Sequence, residues 1–181
     1  MVKSAYSFAT KKEKIANHII VVWVDNESGV LARVVGLFSG RGYNIDSLAV
    51  AEVDKKKNIS RITIATSGTP QVLQQIRLQL GKLVPVHKVA HFPANKKTLM
   101  REMALLKVVS SSTQLQRAKK LCKKYKYTVL DKTAKSFVFE VSALKKEIDM
   151  LIKKLQPLGL ASASRTGVVA MTKGPEVYKQ N

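Results

Sequence analysis

Apolar positions along this chain alternate between two spacings, one of two residues and one near 3.6, and the switches between them mark out a series of short elements. The run Ile19 to Val24 is rich in β-branched residues and stopped by Asp25-Asn26, which predicts a buried strand. Val30, Leu31, Val34, Val35, Leu37 and Phe38 then recur at three- and four-residue steps, so they form one stripe of a helix facing a sheet. Gly40 and Gly42 end it. Ile45 to Val53 predicts a second strand, Lys55 to Asn58 a turn, and Ile59 to Thr66 a third strand whose Ile62 and Ile64 side is the buried face. Thr69-Pro70 opens a second helix carried by Val72, Leu73, Ile76, Leu80 and Leu83; Pro85 ends it, and Val86 to Phe92 is a fourth strand. The order is βαββαβ, the split ferredoxin-like arrangement.

Pro93 to Lys97 carries the breakers expected of a linker, and the pattern then starts again. Leu99 to Val109 predicts a strand, Leu115 to Tyr125 a helix behind a Ser-Ser-Thr cap, Tyr127 to Leu130 and Ser136 to Val141 two strands, Leu144 to Leu155 a helix ended by Pro157 and Gly159, and Ala163 to Met171 a last strand. The fold class is therefore α+β, with two ferredoxin-like βαββαβ sandwiches in tandem. The expected division is a basic N-terminal extension at 1–17, a first domain at 18–92, a second at 98–174 and a tail at 175–181. The extension is nearly free of acids; it faintly resembles an organelle transit peptide but is short and lacks Arg.

A hydrophobic content of 45% over 181 residues supports real cores and excludes disorder throughout. The net charge of +20 is uneven, with +13 on residues 93–181. Such a balance admits nucleic acid, an anionic membrane or an acidic protein as partner, and a lysine-rich solvated surface as the simpler reading. No apolar segment approaches the roughly 20 residues of a membrane span, so a soluble protein is expected. The lone Cys122 excludes an intrachain disulfide and is compatible with a reducing compartment.

Reactive constellations are missing. One Cys and the scattered His18, His87 and His91 do not make a metal site, because His87 and His91 fall on a strand, where four residues is a long way. Gly40-x-Gly42 lacks the rest of a dinucleotide fingerprint. An anion-cradling loop of the acylphosphatase type would use Arg33 or Arg41, yet Asp25 and Glu27 place negative charge where a phosphate would sit. RNA stacking would rest on Phe137 and Phe139, without the aromatic partner needed on the first strand of that half. There remains the turn Asp25 to Gly29. Gly29 lets a ligand approach the N–H groups that a helix N-terminus leaves free, which suits a carboxylate, while Asp25 or Glu27 suits an ammonium. A zwitterionic amino acid fits both.

The stretch NESGVLARVVGLFSGRGYNIDSLAV resembles the opening signature of the regulatory, small subunits of acetolactate synthase, and REMALLKV and SRTGVVAMTKG extend the resemblance over about His18 to Lys173. The resemblance implies that the first half is an ACT domain. Such a domain forms a homodimer and binds a branched-chain amino acid, valine foremost and otherwise leucine or isoleucine, where two copies meet. Carried over by position, the effector-binding residues are Asn26, Gly29, Val30 and Leu31 from one subunit, faced by Asn44 and Ile45 from its neighbour. It further implies no catalytic residue and no cofactor here, with thiamine diphosphate, Mg and FAD on a large catalytic subunit that this chain activates. The expected compartment is the cytoplasm or a plastid stroma, and the expected pathway is valine, leucine and isoleucine biosynthesis. The alternative is a free-standing amino-acid-sensing ACT regulator, acting for example on nucleic acid through its basic half.

Overall fold

The computed structural model describes residues 15–93 and 98–175, so most of the basic extension, the body of the linker and the end of the tail lie outside the described residues. Strand β1 (Ala16–Asp25), helix α1 (Val30–Ser39), strands β2 (Ser47–Asp54) and β3 (Ile59–Gly68), helix α2 (Pro70–Leu80) and strand β4 (Val86–Pro93) make an antiparallel sheet of order β2-β3-β1-β4. The central pair runs in register from Ala16↔Gly68 to Asp25↔Ile59. Ile20, Val22 and Val24 point to one face, where Val34 and Phe38 of α1 and Leu73, Ile76 and Leu80 of α2 bury them. Each such side chain contributes about 1.5–3 kcal/mol of burial. Thr69 caps α2, its hydroxyl accepting from the Val72 N–H at 3.4 Å, with Pro70 in the first turn as predicted. Strand β2 starts two residues later than expected because Asn44 turns its side-chain amide onto the Asp46 carboxylate at 2.7 Å, a local bond that competes with the ladder.

The second half repeats the plan with β5 (Thr98–Val109), α3 (Ser112–Cys122), β6 (Tyr127–Lys132), β7 (Ser136–Ala143), α4 (Lys145–Leu155) and β8 (Leu160–Arg165), in the order β6-β7-β5-β8. Phe137 and Phe139 lie in the core beneath its helices, with Leu115, Ile148 and Leu151, so no base can stack on them. Cys122 is in the same core, and burial pushes its thiol up to about 12. It is inert at neutral pH.

The expected last strand, Ala163 to Met171, is in fact two. After β8 the chain turns at Thr166-Gly167, with Gly167 at φ 78°, and strand β9 (Val169–Thr172) pairs with residues 98–101 at the other end of the 12-residue β5. The physical reason lies in the first half. Its sheet has a second apolar face, Ile19, Val21 and Trp23, and Met100, Val168 and Ala170 cover it. For this reason β3 is buried on both faces, Thr63 and Ala65 as well as Ile62 and Ile64, where simple alternation predicts one. The Arg61 guanidinium lies 5.5 Å from the Trp23 ring centre and donates to the Ala170 carbonyl, while the Val168 N–H donates to Ser47 Oγ at 3.3 Å.

His18 and His91 share a short hydrogen bond of 2.6 Å between ring nitrogens on β1 and β4. Burial lowers both below the ordinary 6.5, and for His91 the neighbouring His18 and Arg77 add to it. A folded-state value below the unfolded one means the unfolded chain takes up more protons, so stability is complete above about pH 6.5 and falls as the pH drops through that window. Thermal melts at about pH 5.5 and 7.5 should show this loss, and His91→Asn should shrink it. An equal loss in both chains would assign the acid sensitivity elsewhere.

Candidate functional site

The turn between β1 and α1 is clamped from two sides. The Asn26 N–H donates to the Asn58 carbonyl at 2.8 Å, and the Asn58 side chain returns a bond to the Asn26 carbonyl at 3.3 Å. Ser60 Oγ donates to Asn26 Oδ1 at 3.0 Å. On the other side, the Asp25 N–H donates to Pro85 O at 2.9 Å, and Asp25 Oδ1 meets His87 Nε2 at 2.6 Å. Since His87 occupies Asp25, the exposed Glu27 is the acid left facing solvent at this turn.

Gly29 holds the left-handed conformation, φ 82°, and opens α1 without a side-chain cap. The N–H groups of Leu31 and Ala32 therefore lack an intrahelical acceptor, and the helix dipole adds positive potential there. No atom lies within 4 Å of a Cβ placed on Gly29, so within one chain it is the backbone conformation that calls for glycine. Val30 is buried in the core and can meet a ligand only through its backbone, whereas Leu31 is 40% exposed and turned outward. The arrangement offers donors for a carboxylate, an acid for an ammonium and an apolar side chain between.

Asn44 and Ile45 are not part of that group in one chain. They follow the other end of α1, whose ten residues span about 15 Å. Asn44 is held by Asp46 and by Thr66 Oγ1, which donates to its carbonyl at 2.7 Å. Only a second copy can bring these residues to the Gly29 turn of the first. Strand β2 lies at the sheet edge with Val50 and Val53 about half exposed, a surface suited to such pairing. Arg41 is also at the far end of α1, bonded to Gln79 at 3.3 Å, so it does not join the turn in a phosphate cradle.

A second constellation escaped sequence reasoning. Glu102 on β5 is 3% exposed and takes a two-pronged bond from Arg165, Nε to Oε1 at 2.7 Å and Nη2 to Oε2 at 2.8 Å. Arg165 Nη1 also donates to Asp149 of α4 at 2.6 Å. The hydrogen bond with Glu102, above all, raises the guanidinium from its ordinary range. The signal was present: REMALLKV holds Glu102 and SRTGVVAMTKG holds Arg165 and Gly167. Their opposite charges form one stitch, at the point where β5 passes from β9 to its partners in the second sheet.

Comparison with known proteins covers both halves. Residues 20–88 match the family of AHAS small subunit-like ACT domains, and residues 101–174 match the family described as the small subunit of acetolactate synthase. The acetolactate synthase small subunit of Aquifex aeolicus is 35% identical over 94% of this chain and 88% of its own length. That of Haemophilus influenzae is 37% identical over 86% and 95%. The crystal structure of the acetolactate synthase small subunit from Thermotoga maritima superposes with a TM-score of 0.81 at 30% identity, covering 89% of this chain and 99% of the other.

Proposed function

The chain belongs to the acetolactate synthase small-subunit family, and from that premise we propose that it activates the catalytic large subunit and makes it sensitive to a branched-chain amino acid, valine foremost. As a member of this family it is a regulatory subunit, not itself a catalyst, and its partner is the large subunit that is. The observation that supports the effector reading is the division of the site. A preorganised turn with free helix N–H groups stands at one end of α1, and Asn44 with Ile45 stands at the other, so two first-half modules side by side complete two pockets. Asn26, Gly29, Leu31 and the Val30 backbone would bind the amino acid from one subunit, Asn44 and Ile45 from the next. Thiamine diphosphate, Mg and FAD belong to the large subunit in this reading. The folding units are residues 18–92 and 98–174, and the compartment is that of the partner, cytoplasm or plastid stroma. No described helix is long and apolar enough to cross a membrane.

The test is reconstitution. Acetolactate formation by the large subunit is expected to rise when this chain is added and to fall again with valine. Because the +13 half offers exposed lysines to an acidic surface, activation should weaken between about 50 and 500 mM salt as charges are screened. A large subunit whose rate and valine response do not change on addition would overturn the proposal. Burial of Phe137 and Phe139 removes base stacking as a support for nucleic acid as the partner.

A further inference from the structure

We propose a second small-molecule site, in the cleft between the first sheet and the start of α4, that takes a carboxylate on a short aliphatic body. The cleft has a volume of about 320 Å³, within the range of small-ligand pockets. Its apolar lining comes from both halves, Ile19 and Ala65 on one side, Met100 and Val168 on the other. The lining also holds three exposed cations, Arg101, Lys145 and Lys146, against one acid, Asp46. An excess of positive charge around an apolar cleft favours an anion. Inorganic phosphate would leave the apolar lining unused, and a carboxylate with an aliphatic body uses both.

Lys145 and Lys146 bear on the same point in a different way. They occupy the first turn of α4, where the helix dipole already repels cations, and Glu147 alone offsets it by capping the Leu144 N–H at 2.8 Å. Two lysines in that position weaken the helix, a local conflict with the fold of the kind that proteins keep at functional sites.

The site is distinct from the Gly29 turn, yet it bears on the effector pocket through Asn44. Asp46 accepts the Asn44 side chain, and Thr66, also in the lining, donates to its carbonyl. An occupant that draws on Asp46 would shift the residue offered to the neighbouring subunit. This regulatory role rests on the reading of Asn44 as an effector residue; binding itself does not. Two sources share the chemistry. A branched-chain amino acid would place its ammonium on Asp46, whereas the corresponding 2-oxo acid has no such group.

Isothermal titration of the full chain with valine and with 2-oxoisovalerate separates the possibilities. Gly29→Asp, which blocks the first site, should still bind one of the two, and Arg101→Glu with Lys146→Glu should weaken that binding at least ~10-fold, the loss of charge-assisted hydrogen bonds. Asp46→Asn should weaken valine or strengthen the oxo acid, according to which is the ligand. If Gly29→Asp fails to activate the large subunit and so is misfolded, the wild type is titrated instead, and the Arg101 and Lys146 changes must remove one of two classes of sites. A Gly29→Asp chain that activates yet binds neither compound, or a wild type with one class that those changes leave intact, overturns the inference. Valine inhibition of the reconstituted wild type, measured on the same preparations, reports separately whether the effector reading holds.

Discussion

Replacing Gly29 by Asp is expected to abolish feedback inhibition while leaving activation of the large subunit in place. Within one chain the new side chain has room, since nothing lies within 4 Å of its Cβ, and the cost is the left-handed backbone at φ 82°, about 1 kcal/mol. Asp tolerates that region better than most residues. A domain of ordinary stability absorbs the loss. The effect on the ligand is larger, because a fixed carboxylate then sits at the helix N-terminus where the effector's carboxylate would be, and like charges in a partly desolvated pocket repel strongly. Asn26→Ala should give a graded result. It removes a hydrogen bond or two to a charged ligand, about 1.5–3 kcal/mol or ~10- to 150-fold in affinity. Because Ser60 Oγ donates to Asn26 Oδ1, it also removes one tie of the turn to β3, while the two bonds between the Asn26 backbone and Asn58 remain. Asn44→Ala should act like Asn26→Ala, and mixing it with Gly29→Asp should restore one intact pocket per dimer. Acetolactate formation by the reconstituted complex, titrated with valine, leucine and isoleucine, gives the answer. Unchanged inhibition in Gly29→Asp would remove that residue from the site, and joint loss of activation and inhibition would indicate misfolding.

The regular elements were legible because each half states its period clearly. Val30 to Phe38 and Leu144 to Leu155 can only be amphipathic helices, and Ile19 to Val24 is too short and too branched for anything but a strand. The turn at Gly29 was legible for a local reason too, polar residues and a glycine between an apolar strand and the apolar stripe of a helix. The relation between the halves was not. Ile19, Val21 and Trp23 alternate with Ile20, Val22 and Val24, and a strand apolar on both faces does not say what covers its second face. The cover is the four-residue β9 with Val168 just before it, and Val168 and Ala170 look like the end of the preceding strand until Gly167 is seen to turn the chain. Glu102 was hidden likewise, as a charge in a strand whose partner lies 63 residues away. Non-local pairings of this kind carry no periodic signature.

Removing Arg165 is expected to be the most damaging single change to the fold. In Arg165→Met the Glu102 carboxylate remains 3% exposed without its guanidinium, and breaking a buried pair in this way costs about 3–5 kcal/mol, much of the 5–15 kcal/mol of a typical domain. Glu102→Met combined with Arg165→Met should recover most of the loss, because a packed apolar pair needs no compensation for buried charge. The pair sits where β8 gives way to the Gly167 turn, so its loss should first release β9 from the Trp23 face. Trp23 is the sole tryptophan and 7% exposed, hence its emission reports that release directly. In urea, Arg165→Met should show a red shift of Trp23 emission ahead of the loss of helical circular dichroism, while wild type shows both together. Gly167→Val should do the same without touching a charge, since its φ is 78° and its Cβ would come 3.2 Å from the Leu48 carbonyl. Both variants are expected to bind valine through the Gly29 turn yet inhibit the large subunit weakly, because Val168 and Ala170 pack the second half onto the first sheet. Coincident transitions in both variants, with inhibition intact, would show that the two halves communicate by another route.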